Sequence, residues 1–395
     1  MKYSVIGGVC LLLSSCSFRQ RMEPVDSAIA TLAVPANEVK GDIPFDSLFR
    51  LKEIIPLQTT DESLVQRIDK LSFYNGRIYL LDARKKQVVV FDGQGRFERV
   101  VNHFGQGPGE YQSLVDMQLK NDTLYLLDRY GAKLLLYSLD GVFLSESKIQ
   151  KAEGIVVTDE GYALNLGLGS ADGSDVPCCS YSFLSPDGRE VFRDIRYNEH
   201  LRGISLSLSE GHSTFYQTPG NTMGVFPYQD TLYSVGTHGR LQPYRVIHIG
   251  NLRIGLDDAE GEVKRLRDEG VSPFVFAYYE WGGYSFFSYY YGDQNRKYVL
   301  ANDEGEILLN ASLGLDGHCL PVRVISFDAQ PSDERMLSLV YPSEVLALSR
   351  RHPESDVLAE WARKCEEEDN PLLVFYQFSP PLSNEKTNIL KGSFM

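Results

Sequence analysis

Three histidines, His103, His212 and His318, are widely and almost evenly spaced along the chain. Three imidazoles converging on one point, with a fourth position open, would make a catalytic zinc centre. None of the three stands in a metal-binding motif, and His103 is expected near the outer end of a strand. Histidines scattered in this way are normally loop residues. No G-x-S-x-G, H-E-x-x-H, Walker-type or EF-hand sequence is present. The acidic stretches LDDAEGE (256–262) and NDEGE (302–306) are short. They read as solvated turns, since calcium needs about six oxygens held in a set loop. The sequence thus implies no cofactor. A metal on the three histidines, serving a lyase or hydrolase, is the alternative to a non-catalytic protein.

A second group of residues suits binding. Arg84, Arg129 and Tyr130, with Glu110 and Tyr111, sit in short polar segments between apolar ones. Basic and aromatic groups together fit a carboxylated or sugar-like ligand. Trp281 precedes Gly282-Gly283 in the most aromatic part of the chain, FVFAYYEWGGYSFFSYYYG (274–292). Residues 284–291 are expected to be core, whereas Tyr278, Tyr279 and Trp281 could stand in a loop and stack on a ligand. Asp82 and Asp128 recur one repeat apart, so they are expected to bond the backbone of the following turn in each unit.

These residues need a scaffold, and the sequence shows its period. NGRIYLLDARKKQVVVFDGQGRF (75–97) and NDTLYLLDRYGAKLLLYSLDGVF (121–143) align without a gap. Tyr79 matches Tyr125, Asp82 matches Asp128, Gly95 matches Gly141 and Phe97 matches Phe143. Within the second unit, 114–120, 123–128, 133–139 and 142–149 read as four short strands separated by turn residues. IYLL and KLLLY are apolar at successive positions, so both faces of the sheet must be covered. A sheet between two neighbouring sheets meets that demand, and a repeat of about 40–50 residues is a propeller signature.

Degenerate copies follow at 161–192, 229–235, 284–310 and 322–378, and 342–368 reads as a helical insertion with Ser343 as a cap. LKEIIPL (51–57) is expected to pair with the last unit and close the ring. HFGQGPGEY (103–111) is then a crossing between blades. Gly105, Gly107 and Gly109 would permit backbone angles that a Cβ forbids, and Pro108 fixes one of them. The expected fold is all-β: a six-bladed β-propeller with four-stranded antiparallel blades, spanning 47–395.

YLLDARKKQVVVFDGQGRF (79–97) followed by FGQGPGEY (104–111) resembles the NHL-type repeat of six-bladed β-propellers. The whole chain resembles the six-bladed propeller lipoproteins of Gram-negative bacteria. That resemblance implies a fold and a secreted location, and little about chemistry. The zinc alternative resembles the arrangement in six-bladed amidating lyases.

The N-terminus agrees on location. Lys2, the apolar run Val5 to Leu13 and the small residues before Cys16 form a secretory signal, 1–15, too short to span a bilayer. Leu13-Ser14-Ser15-Cys16 resembles a bacterial lipobox. The resemblance implies lipidation, palmitate included, at Cys16, and Ser17 favours the outer membrane, with the protein facing the periplasm or the surface. Residues 16–46 read as a tether. Cys178, Cys179, Cys319 and Cys365 remain; adjacent Cys178 and Cys179 do not read as a disulfide framework, and a disulfide is permitted by the compartment but not required. A net charge of −14, with no basic run longer than Arg84-Lys85-Lys86, excludes nucleic acid as a partner. The expectation is a monomeric, lipid-anchored propeller that binds a small molecule, glycan or protein.

Overall fold

The computed structural model describes residues 29–35, 40–44, 48–169, 178–197, 199–202, 214–218, 220–250, 264, 275–290, 296–314, 320 and 335–379. They form six sheets, the blades of a six-bladed β-propeller. The N-terminal part supplies β1 (Ala30–Val34), β2 (Lys40–Pro44) and β3 (Phe49–Pro56). Blade 1 holds β4 (Lys70–Tyr74), β5 (Arg77–Asp82), β6 (Gln87–Asp92) and β7 (Phe97–Val101). Blade 2 holds β8 (Leu114–Lys120), β9 (Thr123–Asp128), β10 (Lys133–Ser138) and β11 (Phe143–Lys148). Blade 3 holds β12 (Gly154–Val157), β13 (Tyr162–Asn165), β14 (Cys179–Leu184) and β15 (Glu190–Arg196).

Blade 4 holds β16 (Phe215–Thr218), β17 (Asn221–Gly224), β18 (Thr231–Val235) and β19 (Leu241–Ile249). Blade 5 holds β20 (Phe276–Trp281), β21 (Tyr284–Tyr290), β22 (Arg296–Asn302) and β23 (Ile307–Gly314). Blade 6 contributes β24 (Arg335–Val340) and β25 (Leu372–Phe378), to which β3 pairs antiparallel. That pairing is the ring closure expected from LKEIIPL. The segment 322–327, expected in the same blade, lies outside the described residues.

The supposed tether is not all tether. β1 adds to β19 and β2 adds to β23, both in parallel, so blades 4 and 5 gain a fifth strand. β1 is largely apolar, with Leu32 and Val34 buried, and β2 is polar; neither is legible as a strand from the sequence, because the partners are outer strands far away in it.

The middle strands explain the unbroken apolar runs. Leu80, Leu81, Val88, Val89, Val90 and Phe91 are all fully buried. They divide between two cores. Leu80, Val89 and Phe91 face blade 6, whereas Leu81, Val88 and Val90 face blade 2. Each such side chain contributes about 1.5–3 kcal/mol only when the neighbouring sheet is in place. In blades 1 to 5 the pairing slips by one residue beside the turn that joins the third and fourth strands. Such a bulge sharpens the local twist. Gly95 and Gly141 occupy this turn with φ of +79° and +84°, which favours glycine.

The insertion is two helices, α1 (Pro342–Arg351) and α2 (Asp356–Ala362). Ser343 does not cap α1. Tyr341 holds that position, with Pro342 next, and its N–H donates to Glu344 Oε2 at 3.3 Å. Ser355 caps α2 through Leu358 N. Among the described residues no helix is long and apolar enough to cross a membrane.

Candidate functional site

The turns after β5 and β9 are built alike from one buried carboxylate each. Asp82 Oδ1 accepts from Arg84 N (3.1 Å) and Lys85 N (3.0 Å), and its Oδ2 accepts from Gln66 N (2.6 Å). Asp128 Oδ1 accepts from Gly131 N (3.1 Å) and Ser113 N (3.0 Å), and its Oδ2 from Gln112 N (3.0 Å). The repeated aspartates are therefore structural, as their periodicity implied. Each also does more than close its own turn: it fastens that turn to the segment leading into its own blade. Blade 3 has an amide at the corresponding strand end. Asn165 Oδ1 accepts from Gly167 N (2.8 Å), while its Nδ2 donates to Val225 O in blade 4 (3.0 Å).

What these pinned turns carry at their tips differs. Arg84 is exposed. Tyr130 is 68% exposed. Arg129 reaches across to blade 3 and pairs with Glu153 at 2.7 Å. Burial holds the Glu153 carboxyl above the usual range, and the Arg129 charge opposes that shift.

The crossing at 103–111 folds around its own side chains. Glu110 Oε2 accepts from Gly107 N at 2.7 Å. A Cβ on Gly105 would lie 2.0 Å from that oxygen, so Gly105 serves close approach, whereas Gly109, with φ +72°, needs the left-handed conformation. Only one of the three glycines expected to take unusual angles does so. Tyr111 is fully buried; its hydroxyl accepts from His103 N at 2.9 Å, and burial pushes its pKa up to about 12. Tyr111 is thus a core residue and cannot meet a ligand. Glu110 remains partly exposed but is occupied with the loop's own backbone.

Trp281 and its neighbours also belong to the core. Trp281 is 4% exposed, at the end of β20, and stacks on Tyr279 (5.0 Å) and Phe378 (5.1 Å) between blades 5 and 6. Tyr278 and Tyr279 are fully buried. The expectation of a ligand-stacking loop fails because Gly282-Gly283 makes a tight turn and leaves Trp281 inside the sheet.

His103 does not face the channel. Its Nε2 lies 3.0 Å from Gly141 O, and its ring stacks on Tyr137 at 5.1 Å, against blade 2's outer turn. His212 and His318 lie outside the described residues, as does Cys16. Among the described residues no group of three or more metal-ligating side chains comes together. Cys178, Cys179 and Cys365 are free thiols, and Cys319 lies outside the described residues.

Sequence reasoning missed the charges of the inner strands. Lys70 on β4 and Asp116 on β8 are both buried and form an ion pair, and Asp116 Oδ2 also accepts from Ile155 N of blade 3 at 2.8 Å. The signal was available: the two residues stand 46 positions apart, the period of the repeat, with opposite charge.

The comparisons agree on architecture. A Bacteroides fragilis protein described as exported superposes with a TM-score of 0.69 at 18% identity, covering 89% of this chain and 100% of its own. A member of the DUF4221 family from Bacteroides vulgatus superposes with a TM-score of 0.51 at 12% identity, covering 84% and 97%. At such identities the likeness is one of fold. No curated protein matches the sequence significantly. The family model described as "Domain of unknown function (DUF4934)" matches residues 31–377, nearly all of the propeller, and the chain belongs to that family.

Proposed function

We propose that this protein is a lipid-anchored propeller of the cell envelope that binds a ligand or partner at the turn tips of blades 1 and 2. One observation carries the reading. Equivalent buried carboxylates pin equivalent turns in blades 1 and 2, and the pinned turns display different side chains, Arg84 in one and Arg129-Tyr130 in the other. A rigid frame with variable tips is how binding loops are presented. An exposed guanidinium and an exposed phenol suit a carboxylated or sugar-like ligand. The anchor rests on the signal-like N-terminus and Cys16. An extracytoplasmic location is also in keeping with the B. fragilis relative's description as exported.

Three experiments test the reading. Cys16→Ala, or blockade of lipoprotein signal cleavage, should release or mislocalise the protein; unchanged membrane retention would overturn the anchor. Oligogalacturonate and neutral oligosaccharides on a glycan array should reveal binding that Arg84→Ala and Tyr130→Ala weaken. Binding indifferent to both variants would remove the turn tips from the site. Stoichiometric zinc that is lost in His212→Ala would replace the binding reading with the metal-dependent one.

A further inference from the structure

The α1–α2 insertion and the ring-closing strand β3 enclose a half-open cleft of about 410 Å³ on blade 6. That volume falls among ligand sites, roughly 300–1,000 Å³. Leu57, Leu372 and Trp361 are the apolar part of its lining. Thr59, Lys364 and Asp369 supply the polar side. All six belong to the N-terminal closing segment or to the blade 6 insertion and the strand that follows it, next to blade 1 and two blades round the ring from Tyr130.

The polar atoms are held but not exhausted. Asp369 Oδ2 accepts from Glu366 N at 2.7 Å, which leaves Oδ1 to accept. Thr59 Oγ1 accepts from Asn370 N at 2.9 Å, which leaves its hydroxyl proton to donate. Lys364 Nζ lies 4.6 Å from the Trp361 ring centroid and 2.5 Å from Glu360 Oε1, so its charge is countered while N–H groups remain. The cleft therefore offers donors and acceptors beside an aromatic wall, with a lysine and an aspartate both in the lining. Lys364 already has Glu360 as its counter-ion, so it offers a carboxylate little, and Asp369 would repel one. A neutral ring with one apolar face and a hydroxylated edge can use the spare Asp369 oxygen, the Thr59 hydroxyl proton and the apolar lining together. We propose that this cleft is a saccharide site, in which a neutral pyranose packs its C–H face on Trp361 and its hydroxyls bond to Asp369 and Thr59.

The test uses the full chain with cellotetraose, maltotetraose and xylotetraose as probes. Trp281 is buried in an aromatic stack, so a change in tryptophan emission reports on Trp361. At least one probe should give a saturable emission change, with calorimetry giving the affinity. Trp361→Phe should weaken that affinity by about tenfold. Asp369→Asn keeps an oxygen for Glu366 N, so it should fold as the parent does by circular dichroism and still bind several-fold more weakly. Arg84→Ala and Tyr130→Ala should leave this binding unchanged. No saturable binding by any of the three sugars would overturn the proposal. So would sugar binding that Trp361→Phe and Asp369→Asn leave intact. Sugar binding lost only in Arg84→Ala or Tyr130→Ala would uphold the turn-tip site and remove this one.

Discussion

Replacing Asp128 by Ala is the sharpest test of how the blades are fastened. The carboxylate is almost fully buried and accepts from three backbone N–H groups, of Gln112, Ser113 and Gly131, at 3.0–3.1 Å. A bond to a charged acceptor contributes about 1.5–3 kcal/mol net. Three simple additions would overstate the loss, because the bonds share one carboxylate and water can reach part of these amides. The expected cost is about 3 kcal/mol. Asp128→Asn keeps Oδ1 for Ser113 and Gly131 but turns an NH₂ toward Gln112 N–H, so it should cost about 1–2 kcal/mol. Asn165 tolerates an amide in blade 3 because its Nδ2 has Val225 O to donate to, whereas the groups that meet the Asp128 carboxylate are backbone N–H donors.

Urea unfolding measures the global effect, and hydrogen exchange locates it. A propeller can open blade by blade, so a single unfolding free energy needs that local check. The amides of Gln112, Ser113 and Gly131 should lose protection in Asp128→Ala, and the order of stability should be parent, Asn, Ala. Asp159→Ala, which removes an exposed ion pair with Lys120, serves as the control and should leave stability almost unchanged. A loss in Asp128→Ala no larger than in the control, or unchanged protection of Gln112 and Ser113, would refute the fastening argument.

Gly109→Ala should lower the melting temperature well beyond Gly107→Ala, because it combines φ +72° with a Cβ 2.7 Å from the Phe143 ring; the expected cost is about 2 kcal/mol or more. Gly107→Ala meets only the Glu110 carboxylate at 3.1 Å, and a result in the reverse order would contradict the loop geometry. Asp116→Ala removes an ion-pair partner of buried Lys70 and the acceptor of Ile155 N, and should cost about 3–5 kcal/mol by urea unfolding; Lys70→Met/Asp116→Leu should recover the part due to the stranded charge but not the part due to the Ile155 amide. A double variant no more stable than Asp116→Ala would mean the pair is not the source of the loss. Glu153 has a raised folded pKa, mainly from burial, so its contribution is fully present below its unfolded value of 4.5 and fades as pH rises through the folded one. The stability of the parent relative to Glu153→Gln should therefore fall from pH 4 to pH 7, and a rise over that range would refute the assignment.

The architecture was legible because the repeat states it twice in nearly the same letters. YLLD and the turn glycines of 75–97 and 121–143 predict strands and the turns between them, and β5, β6, β9 and β10 lie there. The helical insertion was legible from its composition, though its cap was misplaced by two residues. Less could be read where pairing is remote. β1 and β2 lie against strands more than two hundred residues away; β2 is mostly polar, and β1, though apolar, has no neighbour in sequence to pair with. Trp281 and Tyr111 misled for a related reason. A large aromatic side chain beside glycine is read as display, yet only the path of the neighbouring blade decides whether it is covered. Tyr130, equally aromatic and in a turn, is exposed.

Position within the repeat separates structure from candidate function. Where two blades carry the same residue at the same place, as with Asp82 and Asp128, the residue meets a need of every blade. Where the places correspond and the residues differ, either the ring or a ligand must supply the reason. Lys70 and Asp116 are the first kind of difference: opposite charges at one repeat position satisfy each other inside the protein. Arg84 and Tyr130 are the second kind, since both project from pinned backbone and no described side chain pairs with the Arg84 guanidinium or the Tyr130 hydroxyl. The blade 6 cleft extends the same logic, because it is walled by an insertion for which the other described blades have no counterpart. Architecture that the fold does not need, carrying polar atoms with bonding capacity to spare, is where selective recognition of a ligand is physically most readily placed.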